Sequence, residues 1–360
     1  MNTEPLHIGL IGPLPTPAGG MANQTLQLRL LLEQAGHTVH MVRSNAPYLP
    51  AWSARIPLLR AGVRLLPYVW QLWRTAGRVQ LFHVMANSGW SWHLVASPAI
   101  WIAFWRGCPV VLNYRGGEAD GFLLRARRWV APSLRRARLV VPSGYLAEVF
   151  SRHGFDSVIV PNVIDLQRFT AGARRSAGAP AVLVARHLEP IYDIGTALRA
   201  FALVLARYPQ ASMVVAGNGP ELGRLQTLAA QLEIAHAVEF TGHLDHAAMA
   251  TRYRAADIAL NASLADNMPN SILEALASGV AVVSTWVGGV PCMVQHGQEA
   301  LLVPPADPVA MAAAMLRLIG EPALARDLRA NGLRLVRQFS WDQVQPRWLV
   351  VYRLAIGGQP

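Results

Sequence analysis

In the first half of the chain, short apolar runs alternate with longer stretches whose apolar residues recur at helical spacing. The runs HIGLIG, TVHMVR, QLFHVM, PVVLNY, RLVVPS and SVIVPN read as strands, and Met21 to Ala35, Ser91 to Trp105 and a segment from Gly144 read as helices. Such alternation argues for βαβ units on a parallel sheet. After Asn162 the segment VIDLQRFTAGARRSAGAPA loses any period and reads as a linker. A second series then begins: AVLVAR, a helix over Ile194 to Arg207, SMVVAG, a helix from Glu221, VEFTGH, DIALNA, a helix within NSILEALASG, VAVVST and ALLVPP. The expected fold class is α/β, two Rossmann-like domains in tandem over residues 1–162 and 163–340, followed by a C-terminal helix within 341–360.

Ligands of such sheets belong outside the carboxyl ends of the strands. The first strand runs into GPLPTPAGGM, where Gly19 and Gly20 precede a helix and would let backbone N–H groups approach an anion. The second series offers Arg186 after its first strand, Gly217 and Gly219 in AGNGP, and the stretch DNMPNSILEALASG. In that stretch Asn270 is read as an N-cap with Pro269 at an early helix position, and Ile272, Leu273, Leu276 and Ala277 would seat the helix on a core until Gly279 ends it. Asp266 then lies in the preceding loop and Glu274 in the first or second turn. Acids there complement the helix dipole whatever else they do.

Composition sharpens the picture in three ways. The length of 360 residues suits two domains. All 32 basic residues are arginine, which excludes a P-loop lysine, a pyridoxal-phosphate Schiff base and a protein-kinase lysine. Residues 1–162 hold 16 Arg against 6 acids (+10), while residues 163–360 hold 16 against 15 (+1). The first half therefore suits nucleic acid, anionic lipid or phosphorylated substrates. With no recognised nucleic-acid module, nucleic acid is not an expected partner.

Two cysteines, Cys108 and Cys292, are too few for a disulfide framework, and no basic leader precedes an apolar run at the start, so a cytoplasmic location is expected. Val79 to Trp105 is uncharged and long enough to cross a bilayer, but its His, Asn, Ser and Pro residues read better as strand, loop and helix. His243 with His246, and His37 with His40, have a spacing that metals use, without a carboxylate or Cys set beside them, so no metal is expected. Neither Gly-x-Ser-x-Gly nor His-Glu-x-x-His occurs, which removes serine-hydrolase and zincin readings.

Taken together, GGM after the first strand, VPSGYLAEVF, VPNVIDLQRF, VARHLEP, VVAGNGPE, VEFTGH and above all DNMPNSILEALASGVAVVSTWVGGVP with LLVPPADP resemble the retaining glycosyltransferases of family 4. The resemblance spans nearly the whole chain and is densest from Val160 to Pro305. It implies the GT-B fold, two Rossmann-like domains facing a cleft, the first binding acceptor and the second binding a UDP- or GDP-sugar, with the C-terminal helix crossing back to the first domain. It also implies that Glu274 accepts ribose hydrogen bonds, that Asp266 contacts the transferred sugar, and that Asn267, Met268, Pro269, Asn270, Ser271 and Ile272 present backbone N–H groups to the diphosphate. Carboxylates toward hydroxyls and a helix end toward phosphate suit both groups.

Glycosyl transfer expels a nucleoside diphosphate, so stabilising the departing charge is the main catalytic task. No Asp-x-Asp is present to hold a metal for it. The family uses an Arg and a Lys after the first strand of the second domain; Arg186 matches the Arg, and Tyr192 or Ile191 stands where the Lys is expected. Gly217, Gly219, Tyr192 and His243 complete the implied donor site. Where the family commonly has His-Gly, the chain reads NYRGGEAD, so Arg115 is a candidate for the leaving phosphates or a phosphorylated acceptor, and Glu118 or Asp120 for an acceptor hydroxyl. His83 is read as ending a strand, where it faces the site or is simply structural.

Residues 51–79 carry five Arg, no acid, and Trp52, Leu59, Val63, Leu66, Trp70 and Trp73, a composition that suits either a core helix or an anionic membrane surface. The resulting expectation is a metal-independent retaining hexosyltransferase acting on a glycan or a polyprenyl-diphosphate-linked acceptor in surface polysaccharide or glycolipid assembly, peripheral on the inner face of the membrane. The absent Lys and His keep open a non-catalytic nucleotide-sugar-binding homologue, and the fold keeps open a nucleotide-sugar epimerase.

Overall fold

The structure is a computed structural model that describes residues 4–15, 20–46, 57–172 and 178–357, with backbone alone for 57–63. Gly19 therefore lies outside the described residues, as do Trp52 and Arg55 and the side chains of Leu59, Arg60 and Val63. The chain divides into two units, residues 1–160 with 345–360, and residues 161–344. Asn162 falls in the second unit because its amide is buried there against Met268 and Asn270.

In the first unit six parallel strands stand in the order β2-β1-β3-β4-β5-β6: β1 (His7–Gly12), β2 (Thr38–Arg43), β3 (Leu81–Ala86), β4 (Val110–Tyr114), β5 (Arg138–Val141) and β6 (Val158–Ile159). The helices are α1 (Gly20–Gln34), α2 (Pro57–Ala76), α3 (Ser97–Trp105), α4 (Ala119–Leu134) and α5 (Gly144–Arg152), and α13 (Trp341–Gly357) returns at the chain end. Strand side chains alternate between faces. Phe82, Val84 and Ala86 of β3 join the core shared with α2 to α5. His83, between them, packs on α13, its ring 4.7 Å from that of Trp348. The strand runs three residues past His83, whose ring is fully buried, so His83 is a core residue and does not end the strand.

The expected helix over Ser91 to Trp105 has two parts. A π-helical turn over Trp92–Ala96 leads into α3, with the Ser97 N–H donating to Trp92 O. Pro98 has no N–H to donate into the preceding turn, which accounts for the change of pitch.

The second sheet has the order β12-β11-β10-β7-β8-β9, again parallel: β7 (Ala181–Ala185), β8 (Ser212–Ala216), β9 (Val238–Gly242), β10 (Ile258–Asn261), β11 (Ala281–Thr285) and β12 (Ala300–Val303). Its helices are α6 (Ile194–Arg207), α7 (Leu222–Gln231), α8 (His246–Ala255), α9 (Asn270–Ala277), α10 (Val290–Met293), α11 (Pro308–Gly320) and α12 (Pro322–Leu335). Val182 and Val184 bury into one core with α6 and α11, and Leu183 into another with α8 and α9. Covered on both faces, these strands are continuous apolar runs, as parallel strands require. Among the described residues no single helix is long and apolar enough to cross a membrane.

Candidate active site

Along the second sheet the chain steps outward from β7 to β8 and β9, then returns to the other side of β7 for β10. That reversal leaves the carboxyl ends of β7 and β10 side by side without a crossover above them, the place where doubly wound sheets hold ligands. The loop after β7 begins with Arg186 and the loop after β10 carries Asp266. They are laced together where the Leu264 N–H donates to Ile191 O at 2.8 Å.

Arg186 is the hub. Its guanidinium pairs through Nη2 with Asp266 Oδ2, and lies 3.4 Å from Ser263 Oγ and 3.5 Å from Ser271 Oγ. Its plane rests on the Tyr192 ring, 4.0 Å from the centroid. Tyr192 thus supports the cation from below by its π face. Both members of the ion pair are mostly shielded, with side chains 11% and 13% exposed, and the buried Arg186 Nε has no hydrogen-bond partner among the described residues. A shielded pair with an unmet donor is a poor way to gain stability and a good way to hold a charge ready for an anion.

The loop from Asp266 to Pro269 is held by residues that the sequence reading did not single out. Gly289 N donates to Asp266 O at 3.0 Å, and Gly288 has φ +50° with Asp266 O only 2.0 Å from where a Cβ would be. Two glycines after β11 thus let backbone pass under the loop. Asn162 Nδ2 lies 3.0 Å from Met268 O and 2.8 Å from Asn270 Oδ1. Because the Asn270 side chain points to Asn162, it does not cap α9. Pro269 is the N-cap, with no side-chain hydrogen bond to the first turn, which reverses the expected roles of the two residues. Asn267 and Met268 are buried, as is Ile272.

Ser271 and Glu274, one turn apart, share a face of α9. Tyr253 of α8 holds both, its hydroxyl 3.1 Å from Ser271 O and 3.2 Å from Glu274 Oε2. Burial pushes the Glu274 carboxyl up to about 7, while the Tyr253 hydrogen bond and the Arg186 charge pull the other way. Burial, then the nearby Glu274, raises the Tyr253 hydroxyl well above its ordinary range, so it stays a donor. The pattern reading passed from VEFTGH directly to DIALNA and missed α8. HAAMATRYRA has little apolar periodicity, and Tyr253 is its one large core residue.

Gly217 and Gly219 serve packing. A Cβ would lie 1.9 Å from Arg186 O at Gly217 and 2.3 Å from Leu188 O at Gly219, and the Gly217 N–H is already bonded to Gly242 O. Together they let the loop after β8 press against the loop that carries Arg186. His243 follows the edge strand β9, two strands from β7, with its side chain exposed. The structure therefore gathers Arg186, Tyr192, Asp266 to Ser271 and Glu274, and leaves His243 exposed at the start of the loop after β9, next to the Gly242 carbonyl that holds Gly217.

In the first unit Gly20 opens α1, with no described atom within 4 Å of a Cβ placed on it. Arg115 follows β4, its Nη1 3.5 Å from Asn113 Oδ1. Asn113 Nδ2 is in turn 3.1 Å from His83 Nε2, and His83 Nδ1 is 2.8 Å from the Tyr352 hydroxyl on α13. Burial, with Arg115 adding to it, drives the imidazole down to about 3, so His83 is neutral. Burial also lowers the Arg115 guanidinium to about 9, which leaves it charged at neutral pH. Asp120 bonds His153 at 3.0 Å, an alternative to the acceptor role considered for it. Among the described residues no group of three or more His, Cys, Asp or Glu is placed to hold a metal ion.

The chain resembles known proteins along most of its length. Residues 18–168 match the family described as Glycosyltransferase Family 4, and residues 179–321 match that described as Glycosyl transferases group 1. A glycogen synthase of Mycobacterium tuberculosis (strain CDC 1551 / Oshkosh) is 27% identical over 391 residues, covering 96% of this chain and 93% of that protein. Among solved structures, a sucrose-phosphate synthase from Thermosynechococcus elongatus superposes with TM-score 0.78 at 22% identity over 98% of this chain and all of that one. The Anabaena protein HepE in complex with UDP-glucose gives 0.76 at 17% identity over 96% and 98%. At these identities the two structures speak for the fold.

Proposed function

The chain belongs to the family 4, group 1 glycosyltransferases and has their GT-B fold, and from that premise we propose that it moves a sugar, with retention, from a UDP- or GDP-sugar to a glycan or a polyprenyl-diphosphate-linked acceptor. Surface polysaccharide or glycolipid assembly is the setting that such an acceptor suits. The inner face of the membrane is its location, with residues 51–79 toward the anionic surface.

One observation carries the reading: Arg186, Asp266 and Ser271 are joined at the open junction of β7 and β10, with Glu274 one turn further along α9. In the proposed reaction the diphosphate displaces Asp266 from Arg186, whose fork geometry suits two phosphate oxygens. The Asp266 carboxylate, released, takes hydroxyls of the transferred sugar. The uncapped start of α9 offers N–H groups to the same diphosphate, and Glu274 takes the ribose hydroxyls. As the sugar–oxygen bond breaks, charge grows on phosphate oxygens that already face Arg186 and the helix end, which lowers the barrier. Arg115 serves the acceptor or the leaving phosphates, and Gly19, Gly20 and His243 complete the donor's surroundings.

The test is calorimetric titration of UDP- and GDP-sugars into the wild type and Glu274→Ala, followed by an assay of diphosphate release. Binding lost in the mutant, with release by the wild type, supports the transferase. Binding without release, even with polyprenyl acceptors, favours a non-catalytic sugar-nucleotide binder, the alternative that the missing lysine motivates. No binding at all sinks the donor site.

A further inference from the structure

Three crossover helices of the first unit, α2, α3 and α4, lie side by side, α3 in contact with both of the others, over one face of the first sheet. Their inward faces are ordinary core: Tyr68, Leu72 and Ala76 on α2, Ala99, Ile100 and Ala103 on α3, Phe122, Leu123 and Val130 on α4. Their outward faces are unusual. Trp70 and Trp73 on α2, Trp105 on α3 and Trp129 on α4 are 57, 46, 65 and 79% exposed, with Leu66, Phe104 and Leu124 exposed among them. Single exposed apolar residues need no explanation, but seven on three neighbouring helices do.

Three arginines of this layer lie on its rings. Arg74 sits 4.5 Å above Trp70 of its own helix. Arg106, at the end of α3, reaches over to Trp73 of α2 at 4.9 Å, and Arg136, just after α4, covers Trp101 and Phe104 of α3 at 4.2 and 4.6 Å. The cation–π contacts thus join the three helices into one Arg–aromatic layer. In the second unit, by contrast, exposed arginines meet carboxylates, as Arg252 meets Glu239 and Arg317 meets Glu321. From Pro57 to Arg138 the chain has 12 arginines and two acids, Glu118 and Asp120, and Asp120 is held by His153. The layer is rich in positive charge, and its exposed tryptophans lie beside guanidinium groups. Cationic charge and exposed amphipathic rings on one helical layer are together the chemistry of an anionic lipid surface.

We propose that the outer face of α2, α3 and α4 docks on an anionic phospholipid bilayer, Trp70, Trp73 and Trp105 entering the headgroup region while Arg74, Arg106 and Arg136 bind lipid phosphates. It deepens the membrane contact of the functional reading above, on which its biological use rests, and moves the centre of that contact from residues 51–79 to a surface shared by three helices. The contact is reversible, because rings at headgroup depth and phosphate contacts give far less than a spanning helix.

The experiment is co-sedimentation of the full chain with phosphatidylcholine vesicles, plain or containing about a third phosphatidylglycerol, at low and high salt. The wild type should bind the anionic vesicles at least tenfold better than the neutral ones, with salt weakening the difference. Arg106→Glu/Arg136→Glu should lower binding by about 25-fold or more, each arginine near the surface being worth roughly fivefold. Trp70→Ser/Trp105→Ser should lower it by about tenfold on both vesicle types. UDP- and GDP-sugar affinities, measured on the same samples, should match the wild type and show that the variants are folded. Equal binding to neutral and anionic vesicles, or variants that bind as the wild type does, overturns the proposal. Retention on single-stranded DNA without vesicle binding also overturns it and gives the surface to nucleic acid. Vesicle binding by a chain that binds no sugar nucleotide supports this surface while sinking the transferase reading.

Discussion

The two sheets are built alike, six parallel strands under helices on both faces, yet their carboxyl ends differ in kind. In the second unit Arg186, Ser263, Asp266, Ser271, Tyr253 and Glu274 are tied to one another or to the same neighbours, and glycines at 217, 219, 288 and 289 let four loops press together in two pairs. In the first unit one chain of polar groups runs from Arg115 through Asn113 and His83 to Tyr352, Asn45 ties Arg43 to the Leu14 backbone, Ser88 meets the Tyr114 hydroxyl, and no described atom lies within 4 Å of a Cβ placed on Gly20. Strand order alone does not make the difference, because the first sheet reverses too, between β1 and β3. The reversal in the second sheet puts β7 beside β10, so residues 80 apart, Arg186 and Asp266, meet at one junction. The lesson is that the same α/β plan makes one connected charge site on one sheet and separate polar groupings in a strongly cationic domain on the other.

The largest expected effect would test that asymmetry directly. Arg186→Ala leaves Asp266 shielded without its partner and removes the diphosphate ligand, so kcat/KM for donor turnover should fall about 1,000-fold or more. Arg115→Ala should leave donor affinity within about twofold and act on transfer alone. Equal losses of donor affinity in steady-state kinetics and titration would erase the distinction between the two sheets.

Next in size is stability. Gly288→Ala forces a Cβ toward Asp266 O at a positive φ, and should cost about 3 kcal/mol or more in thermal or denaturant unfolding. Gly20→Ala, at the first position of α1, should be neutral or stabilising by up to about 1 kcal/mol. A costly Gly20→Ala would mean that the first unit's strand end is as tightly built as the second's.

A smaller effect sharpens the role of Tyr253. Tyr253→Phe removes the hydrogen bond that favours the ionised Glu274, so the carboxyl should rise further above about 7. Ribose hydroxyls donate to the carboxylate. Donor affinity in the wild type should therefore fall by up to tenfold per unit as pH drops below about 7, and in the mutant it should be about tenfold weaker at neutral pH with a higher midpoint. A pH-independent affinity would remove Glu274 from the ribose.

The smallest effect sets the two units against each other. Glu274 has its folded value raised to about 7, so the native carboxyl holds a proton that the unfolded one releases, and its contribution to stability is lost as pH rises from about 4.5 to 7. His83 has its folded value lowered to about 3, so its contribution is present above about 6.5 and lost as pH falls. Calorimetric scans of Glu274→Gln and His83→Gln should show slopes of stability against pH that differ from the wild type in opposite directions between about pH 5 and 6.5. Slopes shifted the same way would refute the contrast.

Much of this was legible along the chain. Apolar runs of four to six residues at βαβ spacing identify most strands, and DNMPNSILEALASG identifies the loop and helix of the site, because strand burial and helix seating act within a few residues. Other parts were not. Tyr253 sits on a helix with little periodicity, and Asn162 and Ser263 look like ordinary polar loop residues until the fold brings them to Asp266 and Asn270. Pro269 and Asn270 exchange roles because a distant amide competes for the Asn270 side chain. His83 reads as a strand-end histidine, and only the pairing of Val84, Met85 and Ala86 with β4 shows that the strand continues.

The sequence by itself determined the element types, the fold class, the charge asymmetry and the residues able to bind a diphosphate and hydroxyls, because these follow from local periodicity and side-chain chemistry. Tertiary structure alone decided that Arg186 rests on Tyr192 and pairs with Asp266, that Glu274 is held by Tyr253 and shifted by burial, and that three helices share one Arg–Trp face. Those outcomes depend on strand order and on the dielectric around each charge, and both are properties of residues far apart in the chain that meet only when the sheets assemble.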